Sequence, residues 1–343
     1  MRLATSLLLS LSVLTASPSA AATIHVPGTH STIQGALNAS TSGDLILVGS
    51  GVYTENVVLT AARNGVRLES SSGPATTIID GGAAGCTMRI LAGVTSSTEI
   101  RGFTIRNGYT LSPGGGVYIE YASPMLIDCI IEQNFGTAGA GVYVDQGSPT
   151  FQFCTIRDND APFGSGGGLY ADHVGVTTLF HCLVYGNECG AYGGGLTAWE
   201  HARVVLDHTT VADNAAALAG GNLYFTRSGR FDATASIIAF PASNSNIHAA
   251  LSPGTSSFVC CDLYVAGGLN VVGFASPIGT SGNFELDPGF CDLGADHFGL
   301  TANSPCASIA NTNNCGQVGA LDVACGVVSA SKRSWGALKS TYR

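Results

Sequence analysis

A short motif returns at almost constant spacing along the middle of this chain, and that period limits the folds open to it more than any other feature. A glycine-rich turn followed by apolar residues appears as Gly114-Gly115-Gly116-Val117-Tyr118, Gly139-Ala140-Gly141-Val142-Tyr143, Gly166-Gly167-Gly168-Leu169-Tyr170, Gly193-Gly194-Gly195-Leu196-Thr197 and Gly220-Gly221-Asn222-Leu223-Tyr224. The third positions, Gly116, Gly141, Gly168, Gly195 and Asn222, are close to evenly spaced. Propeller blades need roughly 40 residues or more, well beyond this spacing, and the copies lack the helix-spaced apolar pattern of leucine-rich or helical solenoids. One coil of an all-β, single-stranded parallel β-helix fits. Each coil supplies short apolar strands, separated by turns where Gly and Asn accept left-handed backbone.

Stacking the copies in register predicts ladders. Ile105, Ile131, Ile156, Val184 and Val211 are apolar in every copy, as are Ile100, Leu126, Phe151, Leu179 and Leu206. Both sets are expected inside. Cys129, Cys154 and Cys182 make a third inward ladder, read as free thiols that behave as small hydrophobes. Asn134, Asn159, Asn187 and Asn214 recur with the same period and are expected to form a hydrogen-bonded amide ladder at one turn. Arg106, Glu132 and Arg157 alternate in sign and read as outward cross-strand pairing. Tyr118, Tyr143 and Tyr170 share a register and read first as packing.

The ends follow a different grammar. Residues 1–22 carry the charged start, apolar stretch and small-residue site of a secretory signal, so export is expected. Residues 23–43 read as an N-terminal strand and a short cap helix, because Ser31 to Asn38 places apolar residues at helical spacing after a Ser/Thr cap. Residues 44–290 are expected to form the coil stack. Six of the 11 cysteines, Cys260, Cys261, Cys291, Cys306, Cys315 and Cys325, fall near the C-terminus. They predict a largely disulfide-bonded cap over residues 291–326, with zinc as the rival reading and the pairing left open. Residues 327–343 read as a tail, disordered or used in sorting. A net charge of -9 with no Lys/Arg cluster argues against nucleic acid and anionic membrane surfaces as partners. Beyond residue 22 no apolar run is long enough for a spanning helix.

Ser31 to Asn38, Gly43-Asp44-Leu45-Ile46-Leu47-Val48, Gly51-Val52-Tyr53-Thr54-Glu55-Asn56, Thr77 to Gly82, Gly102 to Gly108 and the GGGVY copies together resemble the secreted right-handed parallel β-helix proteins of the pectate-lyase-like superfamily. The resemblance spans roughly residues 24–325. It implies fold more than activity, since that group mixes lyases, glycoside hydrolases, esterases, adhesins and surface proteins. Gly51 to Glu55 is similar to the opening of pectin methylesterases, but their paired aspartates, glutamine and arginine have no counterpart downstream. Asp158-Asn159-Asp160 is the nearest approach to a polygalacturonase segment, and it falls in the asparagine turn.

Chemistry gathers just past the glycine turns. Glu120, Asp145 and Asp172 occupy equivalent positions, Glu200 follows one place later, then Arg227, with His173, His201 and Trp199 beside them. In register, the carboxylates lie about 5 Å apart and repel by about 3 kcal/mol at an effective dielectric near 20. A solvated acidic face tolerates this. A partly buried groove calls for a cation, and Glu120, Asp145 and Asp172 are the candidate Ca²⁺ ligands. Asp145, His173 and Trp199 are candidate polymer-binding residues. The resemblance to calcium-dependent lyases makes Asp172, Glu200, His201 and Arg227 the catalytic candidates, with Arg227 or His201 as base. The expected function is non-catalytic binding of a polysaccharide or other surface polymer by a bacterial exported protein. The alternative is a polysaccharide lyase or glycoside hydrolase working on the acidic edge.

Overall fold

The computed structural model of the protein describes residues 21–308 and 315–326. The expected signal segment and the tail at 327–343 lie outside the described residues, apart from Ala21 and Ala22. The chain winds as a right-handed parallel β-solenoid of about 10 turns, and each turn visits three sheets in succession. Sheet I begins with Thr23–Val26 and has ten strands; sheet II runs from Gly51–Thr54 to Asp262–Tyr264, and sheet III from Val57–Leu59 to Val271–Val272, with nine strands each. Every ladder within these three sheets is parallel, so each strand pairs with its equivalents one coil before and after.

Register follows the apolar pattern. Ile105 pairs with Ile131, Ile131 with Ile156, Ile156 with Val184 and Val184 with Val211. The set from Ile100 to Leu206 pairs likewise in sheet I. All ten side chains are fully buried. Slipping by one residue would turn a whole row outward, so burial locks the register. Cys129, Cys154 and Cys182 are buried free thiols in the same core.

The asparagines form the predicted ladder. Asn134 Nδ2 donates to Asn159 Oδ1, Asn159 Nδ2 to Asn187 Oδ1 and Asn187 Nδ2 to Asn214 Oδ1, each at 2.9 Å. The amide chain then continues to Asn222, Asn246 and Asn270, which the repeat alignment does not reveal. There the donor passes from the turn after sheet II to residues at the entry of sheet III.

At the N-terminal end a helix, Ile33–Ala39, buries Ile33, Ala36 and Leu37 against the first coils. The Thr32 side chain caps it, accepting from Gly35 N. Glu55 completes the cap: its two carboxylate oxygens accept from Ile33 N and Gln34 N at 2.8 and 3.0 Å. The Tyr53 hydroxyl donates to Gly49 O at 2.9 Å. Gly51 to Glu55 therefore serves the closure of the stack.

At the other end two disulfides form, Cys260–Cys315 and Cys291–Cys325. Cys261 and Cys306 are buried and unbridged, so four of the six clustered cysteines are cross-linked. Phe290–Asp292, His297–Thr301 and Val323–Cys325 make a separate small sheet containing one antiparallel pair. This segment folds back along the outer side of sheet II: Phe298 packs on Tyr185 and Ala212, while Val318 and Leu300 pack on Ile237 and Ala239. No described helix is long and apolar enough to cross a membrane.

Candidate functional site

In sheet III the strands alternate inward and outward, so Val117 and Ile119 are buried while Tyr118 and Glu120 face out. Two outward columns result. Tyr118, Tyr143 and Tyr170 pair in one, Glu120, Asp145 and Asp172 in the other. The first column includes Arg89, one coil before Tyr118; the Arg89 guanidinium lies 5.3 Å over the Tyr118 ring, and the column runs on through Thr197, Tyr224 and His248. The tyrosine rings stack at 5.6 and 5.5 Å, and the Tyr224 ring stacks on His248 at 5.8 Å. Rings stacked on one another present edges and hydroxyls outward.

The carboxylate column ends each strand just before a left-handed residue. Tyr121, Gln146, His173, Glu200 and Arg227 all have positive φ, which turns the chain toward sheet I. The turn brings His173 back over the acids. Its Nδ1 lies 3.0 Å from Asp145 Oδ1 and 3.4 Å from Asp172 Oδ1, and its Nε2 lies 3.6 Å from Glu200 Oε2. Asp172 Oδ2 accepts from the Tyr143 hydroxyl at 2.7 Å, and Asp172 Oδ1 from His173 N at 2.9 Å. Arg227 Nη1 donates to Glu200 Oε1 at 2.8 Å while its guanidinium sits 5.0 Å over the Trp199 ring. That hydrogen bond from Arg227 holds the Glu200 carboxyl below its ordinary value. Burial, with the bond to Asp172, pushes the Tyr143 hydroxyl well above its usual range, so it stays a donor.

The structure thus gathers Asp145, Asp172, His173, Trp199, Glu200 and Arg227. Glu120 continues the row one coil away, and His201 is exposed on the turn, its backbone N–H bonded to Arg227 O. Tyr143 is the participant that repeat reading assigned to packing; its position two residues before Asp145 on an outward-facing strand is the signal that places it in the site. Donor atoms of Asp172, His173 and Glu200 lie within 4.8 Å of one another. Calcium prefers six to eight oxygen ligands. Here one of the three ligand atoms is an imidazole nitrogen, so the cluster offers two carboxylates and one nitrogen.

Such a molecule, a parallel coil stack with an outward face of aligned tyrosines and acids, belongs to the class of parallel β-solenoids. The chain is a member of the right handed beta helix region family, which matches residues 38–216. Among solved structures, pectate lyase Pel9A is similar with a TM-score of 0.60 at 12% identity, covering 89% of this chain and 97% of its own. Pectin methylesterase from Aspergillus niger gives 0.46 at 15% identity over 79% and 92%, and the carrot enzyme 0.43 at 12% over 80% and 90%. At these identities the likeness is one of fold. No curated protein matches the sequence.

Proposed function

We propose that this protein is an exported β-helix that binds a polysaccharide or other surface polymer along sheet III without cleaving it, in an adhesin-like or scaffolding role. The observation that supports this most is the pair of outward columns, whose polar groups repeat at the coil spacing of about 4.8 Å and can meet successive units of one extended chain. The excess of carboxylate favours neutral or amine-bearing polymers over anionic ones. Two disulfides suit an oxidising compartment.

The catalytic alternative needs a base beside the acids, and His173, with Nδ1 3.0 Å from Asp145 Oδ1 and Nε2 3.6 Å from Glu200 Oε2, is the group in that place. Arg227 is engaged with Glu200 and Trp199. Calcium belongs to this alternative. A glycan panel on the purified protein, followed for binding and product release with and without Ca²⁺, tests both readings together. Replacing Asp172 and Glu200 by alanine removes the acceptor of the Tyr143 hydroxyl, at a cost of about 1–3 kcal/mol, and should abolish polymer binding at the acidic row. Unchanged binding by a folded double variant would remove this face from the function, and product release would replace binding by catalysis.

A further inference from the structure

A second aromatic row lies at the turn from sheet II into sheet III, the opposite border of sheet III from the acidic row. Gly85, Tyr109 and Phe135 are bridged in successive coils. The Tyr109 and Phe135 rings stack at 4.5 Å and 11°, and Phe163 meets Phe135 edge-on at 6.2 Å. Two of these rings are open to solvent: Tyr109 is 46% exposed and Phe163 74%. One face of Tyr109 is covered by Phe135. The rung on its other side is Gly85, which carries no ring, and a Cβ placed there would meet nothing within 4 Å.

Beside this row lies a notch of about 270 Å³ lined by Asp80, Gly82, Asn107, Tyr109, Gln133 and Phe135 among others. Its polar groups are held in place. Asp80 Oδ2 accepts from Arg106 Nε at 3.0 Å and Asn107 Nδ2 at 2.8 Å, and Asp80 Oδ1 accepts from Gly82 N at 3.0 Å. Arg106 balances the Asp80 charge, so the notch is polar without net charge. Among the described residues, the Asn107 side-chain oxygen and the exposed Gln133 carboxamide have no hydrogen-bond partner. An open aromatic face bordered by amides and one fixed carboxylate, in a concavity near the roughly 300 Å³ lower bound of ligand pockets, matches a sugar ring, which has apolar C–H faces and a rim of hydroxyls.

We propose that this notch is a subsite for one pyranose ring of a neutral glycan, stacked on Tyr109, with its hydroxyls meeting Asn107, Gln133 and Asp80. The site is separate from the acidic row and stands whether or not that row binds a polymer. Titration calorimetry of the whole protein with cellohexaose, laminarihexaose and mannohexaose, with trigalacturonate as the charged control, tests it. At least one neutral hexasaccharide should bind. Tyr109→Ala should weaken that binding by about tenfold or more, Tyr109→Phe should retain it, and the Asp172→Ala/Glu200→Ala double variant should leave this component intact. Circular dichroism melting curves confirm that each variant is folded. Absence of binding by all three neutral sugars, binding of trigalacturonate alone, or full binding by Tyr109→Ala would overturn the proposal. Loss in the double variant with Tyr109→Ala unaffected would assign the binding to the acidic row instead.

Discussion

The coils between residues 98 and 250 and the segment from Cys260 to Cys325 hold themselves together by opposite means. In the coils each residue repeats an environment, so stability is distributed: apolar rows inside, backbone ladders between turns and an amide chain along one corner. The C-terminal segment has no repeat to lean on. It is fixed at a few points: two disulfides, two apolar clusters against sheet II, and backbone bonds such as Gly319 N to Ala235 O at 2.8 Å. A stack of coils can spread the loss of one contact over neighbours, whereas a segment tied at few points loses its place when one tie is cut.

Removing both ties should produce the largest effect. With loops of 55 and 34 residues, the chain-entropy account gives about 4 kcal/mol for each disulfide. In a Cys260→Ser/Cys291→Ser variant, hydrogen exchange should show the Gly319 and Ala320 amides losing protection while those of Asn159 and Asn187 keep theirs. Equal loss in the coils would mean that the two regions unfold as one unit.

Next comes the junction between them. Burial pushes the Asp262 carboxyl from 3.8 up to about 7. Its Oδ1 accepts from Leu286 N and its Oδ2 faces the Cys306 thiol, both from the closing segment. The folded state therefore holds a proton that the unfolded chain releases, and stability falls as pH rises from about 4 to about 7, by about 4 kcal/mol at most. His181, in the coils, acts in the reverse sense. Burial, with His208 stacked beside it, pushes it from 6.5 down to about 4, so its contribution is lost as pH falls through the same window. Thermal melts should show Asp262→Asn losing the decline toward neutral pH and His181→Phe losing the decline toward acid. Identical pH profiles for wild type and Asp262→Asn would show that this carboxyl is not proton-linked.

A single coil contact should cost less. Asn187 Nδ2 donates to Ile156 O, Tyr185 O and Asn214 Oδ1, and its Oδ1 accepts from Asn159 N and Nδ2. Asn187→Ala leaves buried groups on both neighbours unpaired, a loss of about 3 kcal/mol, measurable by denaturant titration. A loss as large as that from both disulfides would make the amide chain, like the closing segment, a structure fixed at few points.

The sequence by itself determined the coil, because burial and a near-constant repeat length admit one register: the positions of Ile131, Ile156, Val184 and Val211 and the asparagine corner were legible before any coordinates. It also placed Glu120, Asp145 and Asp172 in one row, since alternation along a strand sends every second residue outward. Other contacts were decided only by tertiary structure. His173 reaches Asp145 because a left-handed residue turns its side chain back over the strands, a conformation that no spacing encodes. Glu55 caps a helix that precedes it in the chain because the next coil passes beneath that helix. The change on sheet II from Glu132 and Arg157 to Leu183, Tyr185, Ala212 and Ile237 is visible in the sequence, yet only the folded chain shows the C-terminal segment covering those residues. Cysteine pairing was likewise undecided: Cys260 and Cys261 are adjacent in the turn between two strands, yet one is bonded to Cys315 and the other is buried in the core. Repeats and alternation are local rules that a sequence states directly, whereas contacts between non-equivalent segments depend on where the whole chain has already gone.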